Sequence, residues 1–399
     1  MKNDKWIKFR HKVIRRTVYP LIGLYVKAKT HIKIEKYKGT EKGPYLVLIN
    51  HQTGYDQFFV FLSFKNPVYF LSSDDLFSNG IYSKIIKYGA NPIPIKKNVS
   101  DIVAVKKCIK VAKEGGTIAL SPEGNRTFSG ETGYMNPAIS GLVKMLKLPV
   151  LIYKIEGGYN LLPRWADKPK KGKARAYVSK VISVDEINAL SKLDLYELLK
   201  KELYQNDFDI TENYTGKRKA EYLERCAYVC PKCGLSSFTS NKNTIKCDKC
   251  GIEIEYLDDK GLKGIAEEIP FKNYLEWYKY QCKYINELDL VNTSKLFYNE
   301  KVNFYKVIVN KNKNLIQKDC SFKLFNDRYE VCLNNQNIVF KFEDISGVSV
   351  LGRNKLNVYT KDGLYQIKSD KRFNALKYLN FYNRYINQIK ENDNEFLGL

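Results

Sequence analysis

Histidine and long apolar runs are both scarce in this chain. Its 399 residues include three histidines, His11, His31 and His51, which leaves few places for imidazole chemistry. The longest apolar run, Val18 to Val26, is interrupted by Pro20 and falls well short of the roughly 18–20 residues a spanning helix needs. A membrane-spanning helix is thereby excluded; a seat on a membrane surface is not. Acidic residues are also under-represented, 43 Asp and Glu against 67 Lys and Arg, for a net charge of +24. No repeat of fixed period occurs, no low-complexity segment follows the basic start, and no G-x-S-x-G nucleophile elbow is present.

What remains is an ordinary folded composition, 44% apolar and 28% charged, with a length that suggests two or three domains. Lys, Asn, Ile and Tyr are abundant throughout, so part of the charge is compositional. Residues 1–29 differ, with nine Lys and Arg against Asp4 alone, interleaved with Trp6, Ile7, Phe9, Val13, Ile14, Val18 and Leu21. A basic, aromatic-bearing amphipathic segment of this kind favours an anionic lipid surface, by about 1 kcal/mol per cation near the headgroups. In this segment His11 and His31 are expected to be solvated or lipid-facing. The apolar stretch ends in Lys27-Ala28-Lys29 without a small-x-small cleavage site, so it does not resemble a secretory signal. The expected location is cytoplasmic, peripherally bound to the inner face of the membrane. The nine cysteines then read as thiols or metal ligands before disulfides.

From about residue 30 to 210, short apolar runs alternate with helical patterns, as in α/β chains. Strands are expected at 45–50, 92–95, 117–120 and 149–153. A helix is expected from Ser100-Asp101 to Gly115-Gly116, and another opens at Asn136-Pro137. His51 directly follows the first of these strands, in Asn50-His51-Gln52-Thr53-Gly54-Tyr55-Asp56. On one regular helix the five-residue step would turn Asp56 about 140° away from His51. If His51 instead ends a strand and Asp56 opens the next helix, the intervening loop folds the carboxylate back onto the imidazole. The acid then fixes the tautomer and stabilises the imidazolium, while a substrate hydroxyl takes the part of the missing nucleophile. Ser121-Pro122-Glu123-Gly124-Asn125-Arg126-Thr127 follows another strand, at the carboxyl end where ligand loops of open α/β sheets collect. Gly124 allows a tight turn, and the Arg126 fork suits phosphate. Alone, the same turn reads as a surface ion pair.

Asn50-His51 to Asp56, followed by Pro122-Glu123-Gly124-x-Arg126-Thr127, resembles the first and third sequence blocks of the glycerophospholipid acyltransferases of the 1-acylglycerol-3-phosphate acyltransferase type. Ile93-Pro94-Ile95-Lys96-Lys97 falls where the second block belongs and Leu148-Pro149-Val150 where the fourth does. The second block carries Lys where Arg is usual, and Asn125 stands where Thr is common. The likeness covers about residues 15–210 and implies an α/β acyltransferase domain over 30–220. It implies His51 as general base on a lysophospholipid hydroxyl, oriented by Asp56. Glu123, Gly124, Arg126 and Lys96 would hold the acceptor's phosphate, and acyl-CoA or acyl-ACP would be the acyl donor. The product from 1-acylglycerol-3-phosphate would be phosphatidic acid.

Cys230-x-x-Cys233-Gly234 and Cys247-x-x-Cys250-Gly251 form a C-x2-C-x13-C-x2-C pattern over 226–255. That spacing predicts a zinc ribbon holding one structural Zn2+ on four thiolates, with glycines permitting the left-handed turns. A connecting helix is expected within 260–290, followed by a β-rich α+β module over 293–395. Its strands and single closing helix resemble, in element order, a pleckstrin-homology-like domain. On that helix Phe373, Leu376, Leu379, Tyr382 and Ile386 are expected to pack on the sheet. The competing reading is a basic zinc-ribbon nucleic-acid-binding protein. It leaves His51, Asp56 and the Glu-Gly-x-Arg turn unexplained, so no nucleic-acid partner is expected.

Overall fold

Leu46-Val-Leu-Ile49 is buried at all four positions, as is Thr117-Ile-Ala-Leu120, the pattern of strands covered on both faces of a parallel sheet. In the computed structural model, which describes residues 5–39, 43–95, 101–309 and 311–390, these two strands are neighbours. The chain divides into two compact units. Of the described residues, the first is built from those up to 95, from 101–163 and from Lys171–Glu212, the second from Arg164–Lys170 and from those between 213 and 390.

The first unit centres on a seven-stranded sheet, β1 (Lys33–Ile34), β2 (Leu46–Ile49), β3 (Val68–Ser73), β4 (Ile93–Ile95), β5 (Thr117–Leu120), β6 (Val150–Glu156) and β7 (Arg175–Ile182), in the order β1-β7-β6-β2-β5-β3-β4. All pairings are parallel except β6 with β7. Leu46, Leu48, Ile118, Leu120, Val150 and Ile152 share one core with Val143 and Leu146. Its helices are α1 (Phe9–Thr17), α2 (Tyr19–Thr30), α3 (Asp56–Ser63), α4 (Ile81–Gly89), α5 (Ile102–Lys113), α6 (Ala138–Leu146), α7 (Gly158–Leu161), α8 (Val184–Ala189) and α9 (Lys192–Leu203). Helix α5 is capped as its sequence predicts, with the Asp101 carboxylate accepting from Ala104 N at 2.9 Å.

The basic N-terminal segment departs from a uniform surface amphipath. It forms two helices, and Pro20 falls in the first turn of α2, where it costs no hydrogen bond. Trp6 and Ile7 pack against the core, and Trp6 Nε1 donates to Asn91 O at 3.0 Å. His11, expected in solvent or lipid, is buried, with Nδ1 3.0 Å from the Tyr69 hydroxyl. Burial, then Arg10 and Lys8, lower its pKa to about 4. His31 is exposed, as expected.

In the second unit, β8 (Val229–Cys230) and β9 (Gly234–Leu235) pair as a short ribbon beside a four-stranded antiparallel sheet, β10 (Phe238–Asn241), β11 (Thr244–Cys247), β12 (Glu253–Tyr256) and β13 (Leu262–Gly264). Helix α10 (Tyr274–Asn286) does more than connect. Gln281 Oε1 accepts from Tyr228 N and Val229 N, and Trp277 Nε1 donates to Val229 O. Then come β14 (Leu296–Val307), β15 (Lys313–Phe325), β16 (Arg328–Cys332), β17 (Asn337–Lys341), β18 (Ile345–Leu351), β19 (Lys355–Thr360) and β20 (Gly363–Lys368), closed by α11 (Ala375–Ile389). The seven strands form one antiparallel sheet, in which β14 joins the β14–β17 meander to β20. Phe373, Leu376, Leu379 and Tyr382 are buried, while Ile386 is half-buried. The polar side of α11 is buried too. Asn374 Nδ2 donates to Glu224 O and Asn380 Nδ2 to the Tyr228 hydroxyl. Among the described residues, no helix is long and apolar enough to cross a membrane.

Candidate active site

Because β2 and β5 run parallel and side by side, the loops at their carboxyl ends emerge together. The loop after β2 carries Asn50 to Tyr55, and the loop after β5 carries Ser121 to Thr127. Asn50 clasps the end of β6, with Nδ2 donating to Ile155 O and Oδ1 accepting from Ile155 N, both at 2.8 Å. That reciprocal pair fixes where β2 stops and where His51 begins.

Asp56 opens α3 and is buried. Its Oδ2 accepts from His51 Nδ1 at 2.7 Å and from Gln52 N at 2.8 Å. Oδ1 accepts from Thr53 N at 2.9 Å and from the Thr53 hydroxyl at 2.6 Å. A carboxylate only accepts, so Nδ1 carries the proton and the basic lone pair falls to Nε2. The His51 side chain keeps 27% of its surface exposed against 3% for Asp56, so the imidazole is reachable while its orienting acid is not.

The second loop is tied to the first. Thr127 N donates to His51 O at 2.9 Å. Glu123 Oε1 accepts from His51 N at 2.7 Å, and its Oε2 accepts from Gly133 N at 2.9 Å. Both Glu123 oxygens therefore brace backbone. Burial pushes its carboxyl up to about 8, against the two N–H groups that favour the ionised form. Gly124 takes φ +68, and a side chain there would meet no atom within 4 Å, so the turn presents bare backbone. Arg126 lies over the first loop, where a methyl group added at Gly54 would stand 3.5 Å from Nη1. His51, Asp56, Glu123, Gly124 and Arg126 thus share one edge of the sheet. Lys96, the remaining candidate, lies outside the described residues.

Two further supports hold the site, one from Thr127 of the third block and one from a residue that no block contains. Thr127 Oγ1 accepts from Ser129 N and Gly130 N, shaping the loop beyond Arg126. Asp207, buried far along the chain, accepts from Gly157 N, Tyr159 N and Asn160 N at the end of β6. Burial raises its carboxyl to about 7. Asp207 belongs to no motif and stands among the polar residues Gln205, Asn206 and Asp209, so nothing in the sequence marks it.

In the second unit the four sulfurs of Cys230, Cys233, Cys247 and Cys250 lie within 4.8 Å of one another. Cys230 and Cys250 are 3.5 Å apart, Cys233 and Cys247 3.6 Å. A tetrahedral ion about 2.3 Å from each sulfur spaces them about 3.8 Å apart, so the group could hold one metal ion. Gly234 and Gly251 both take positive φ, +73 and +80, as the knuckle turns require. Lys232 N approaches Cys230 Sγ at 3.4 Å, and the Ser236 hydroxyl lies 3.0 Å from Cys247 Sγ.

Residues 29–155 match the family model described as Acyltransferase. No curated protein matches the chain. Among solved structures, the 1-acyl-sn-glycerophosphate (LPA) acyltransferase PlsC from Thermotoga maritima is similar at 19% identity and a TM-score of 0.41, over 50% of this chain and 81% of that one. The Vps36 N-terminal PH domain is similar at 17% identity and a TM-score of 0.20, over 24% of this chain and 83% of that one.

Proposed function

The chain carries a domain of the acyltransferase family within residues 29–155, and from that premise we propose that it moves a fatty acyl group from an acyl thioester to the hydroxyl of a lysophospholipid. The proposed acceptor is 1-acylglycerol-3-phosphate and the product phosphatidic acid. The observation that carries the reading is the 2.7 Å bond from His51 Nδ1 to Asp56, which leaves Nε2 as base on a partly exposed ring.

In the proposed reaction Nε2 takes the proton of the acceptor hydroxyl as its oxygen attacks the thioester carbonyl. Asp56 holds the tautomer and stabilises the imidazolium. Collapse of the tetrahedral intermediate breaks the C–S bond, and the departing thiolate takes the proton from Nε2, leaving ester and free thiol. Arg126 grips the acceptor's phosphate beside the bare turn at Gly124. Lys96 is proposed as a second cation for that phosphate. Glu123 serves the site by holding the backbone of both loops.

The acceptor is a membrane lipid, so the proposal places the enzyme on an anionic membrane surface. Phe9, Leu21, Leu24 and Tyr25 of α1 and α2, and Ile81, Tyr82, Ile85 and Tyr88 of α4, are each more than half exposed. Arg10 ties α1 to α4 through Tyr88 O at 3.0 Å. The four thiolates are proposed to hold a structural Zn2+, and the β-rich module to be pleckstrin-homology-like.

The test offers radiolabelled acyl-CoA and acyl-ACP with a panel of lysophospholipids to wild type and to His51→Ala. Wild type should label the phosphate-bearing acceptor. His51→Ala should lose about 10²–10⁴-fold in kcat with an unchanged circular dichroism spectrum. Near-normal turnover in the variant would remove His51 from the chemistry.

A further inference from the structure

Residues 205–207, far along the chain from the His51 and Glu123 loops, grip two backbone segments of the site at once. Thr132 N donates to Gln205 O and Gln205 N to Thr132 Oγ1, both at 2.8 Å. Glu131 and Asn206 form a β-bridge, and Asp207 N donates to Gly130 O at 3.0 Å. Gly130 to Thr132 lead directly into Gly133, whose N–H is bound by Glu123, and Glu123 in turn accepts from His51 N.

The Asp207 side chain serves a different segment. It is fully buried, with Oδ1 accepting from Gly157 N at 3.1 Å and Gln205 Nε2 at 3.2 Å, and Oδ2 from Tyr159 N at 2.9 Å. A buried carboxylate is tolerated only where such donors converge on it, so these bonds fix the turn after β6. That turn abuts the first loop at Gly158. A methyl group added there would stand 2.7 Å from Ile155 Cγ2, 3.2 Å from Gln52 Cβ and 3.3 Å from Thr53 Cγ2. Gln52 and Thr53 are the residues whose N–H groups, with the Thr53 hydroxyl, hold Asp56 where it meets His51.

We propose that Asp207 is a positioning residue for His51, holding the turn after β6 against the first loop and the loop after β5 beside it, so that Asp56 stays aligned with the imidazole. Its effect on rate rests on the acyl-transfer reading; its effect on the imidazole does not. Asp207 bonds to backbone and to Gln205, so it acts through placement alone, and placement of the base governs kcat rather than substrate binding. A misplacement of about 1 Å can cost about 10²-fold in rate.

Asp207→Asn keeps the side-chain volume but sets a donor against N–H groups that need an acceptor. Long-range proton–nitrogen spectra of 15N-histidine-labelled full chain, with the rings neutral, read the tautomer of each of its three imidazoles. Wild-type His51 should show the pure Nδ1–H form that Asp56 sets. Asp207→Asn should turn that signal into a mixture, with buried His11 unchanged as internal control. In acyl transfer the variant should lose about 10²-fold in kcat, with both KM values held within about twofold. Gly158→Ala, which crowds Gln52 and Thr53 while leaving Asp207 in place, should reproduce both changes, and it carries the test if Asp207→Asn does not fold. An unaltered His51 tautomer in both variants, or a loss carried by KM, overturns the proposal. A tautomer change in the variants with no acyl transfer by wild type would refute the proposed reaction and leave the positioning role standing.

Discussion

Asp56 accepts from four donors of the loop that begins at His51, so it both aims the imidazole and builds the loop. Asp56→Asn presents an amide that donates where the carboxylate accepted, and favours the wrong His51 tautomer. In the proposed reaction it should lower kcat by about 10²-fold or more, by analogy with orienting acids elsewhere. Arg126→Ala should act differently, raising KM for the phosphate-bearing acceptor about tenfold or more while leaving that for the acyl thioester nearly unchanged. Equal effects on both substrates would remove Arg126 from the acceptor side. Glu123 gives a pH prediction. Its carboxyl is raised from 4.5 to about 8 by burial, so between those values the folded chain binds more protons than the unfolded one. Its contribution to stability is therefore greatest at acid pH and is lost as pH rises through about 8. Glu123→Gln carries no such titration, so its melting temperature relative to wild type should climb from pH 5 to pH 8. A gap independent of pH would show that Glu123 stays ionised throughout.

At the scale of elements, the sequence is most informative where a local pattern suffices. The buried runs 117–120 and 45–50, the Asp101 cap and the turn after the second strand all sit where their residues predict, because each is decided by neighbours in sequence. The strands β3, β7 and β15 are less legible. Val68–Ser73 is buried only at its start, and Arg175–Ile182 and Lys313–Phe325 alternate imperfectly through exposed Lys and Arg. Their pairing partners lie too far along the chain to appear in a local window. The meeting of His51 with Glu123 depends on β2 lying beside β5, a long-range fact that strand patterns alone do not state. The N-terminal helices show the opposite error, since charge spacing suggested one continuous surface segment although Trp6, Ile7 and His11 turn inward. What remains outward is Phe9, Leu21 and Leu24, with Ile81, Tyr82 and Ile85 of α4 beside exposed Lys84 and Lys87. If this face docks on lipid, a charge in place of one apolar side chain forfeits about 1.5–3 kcal/mol of burial. Leu24→Asp and Ile85→Asp should each reduce co-sedimentation with phosphatidylglycerol vesicles about tenfold or more, and added salt should weaken wild-type binding. Unchanged retention of both variants would place the membrane face elsewhere.

Across the second unit, the cysteine module is built into the packing of its neighbours. Its strand at Tyr228 and Val229 is held by Gln281 and Trp277 of α10, and the Tyr228 hydroxyl takes a hydrogen bond from Asn380 of α11. Arg372 pairs with Glu224, and Asn374 donates to Ala227 O. Helix α11 in turn closes the β14–β20 sheet through Tyr378, whose ring stacks on Phe322, and Tyr382, whose hydroxyl donates to Ile345 O, so one helix serves both bodies. A four-thiolate zinc contributes about 10–16 kcal/mol where it has been weighed in isolated fingers, as much as a whole domain's stability of about 5–15 kcal/mol. Under the zinc proposal, removing the ion frees four mutually repelling thiolates beside Tyr228 and loosens the polar contacts that bury the outer side of α11. The loss should therefore spread beyond residues 226–255. One zinc per chain should be found by elemental analysis, and chelation should expose four additional thiols to a colorimetric reagent. Amide exchange over 296–368 should accelerate in the same titration, because the sheet loses the helix that covers it. Fast exchange confined to the cysteine module, with the sheet still protected, would mean that α11 holds the sheet by its apolar side alone and that the metal's influence stops at Asn380.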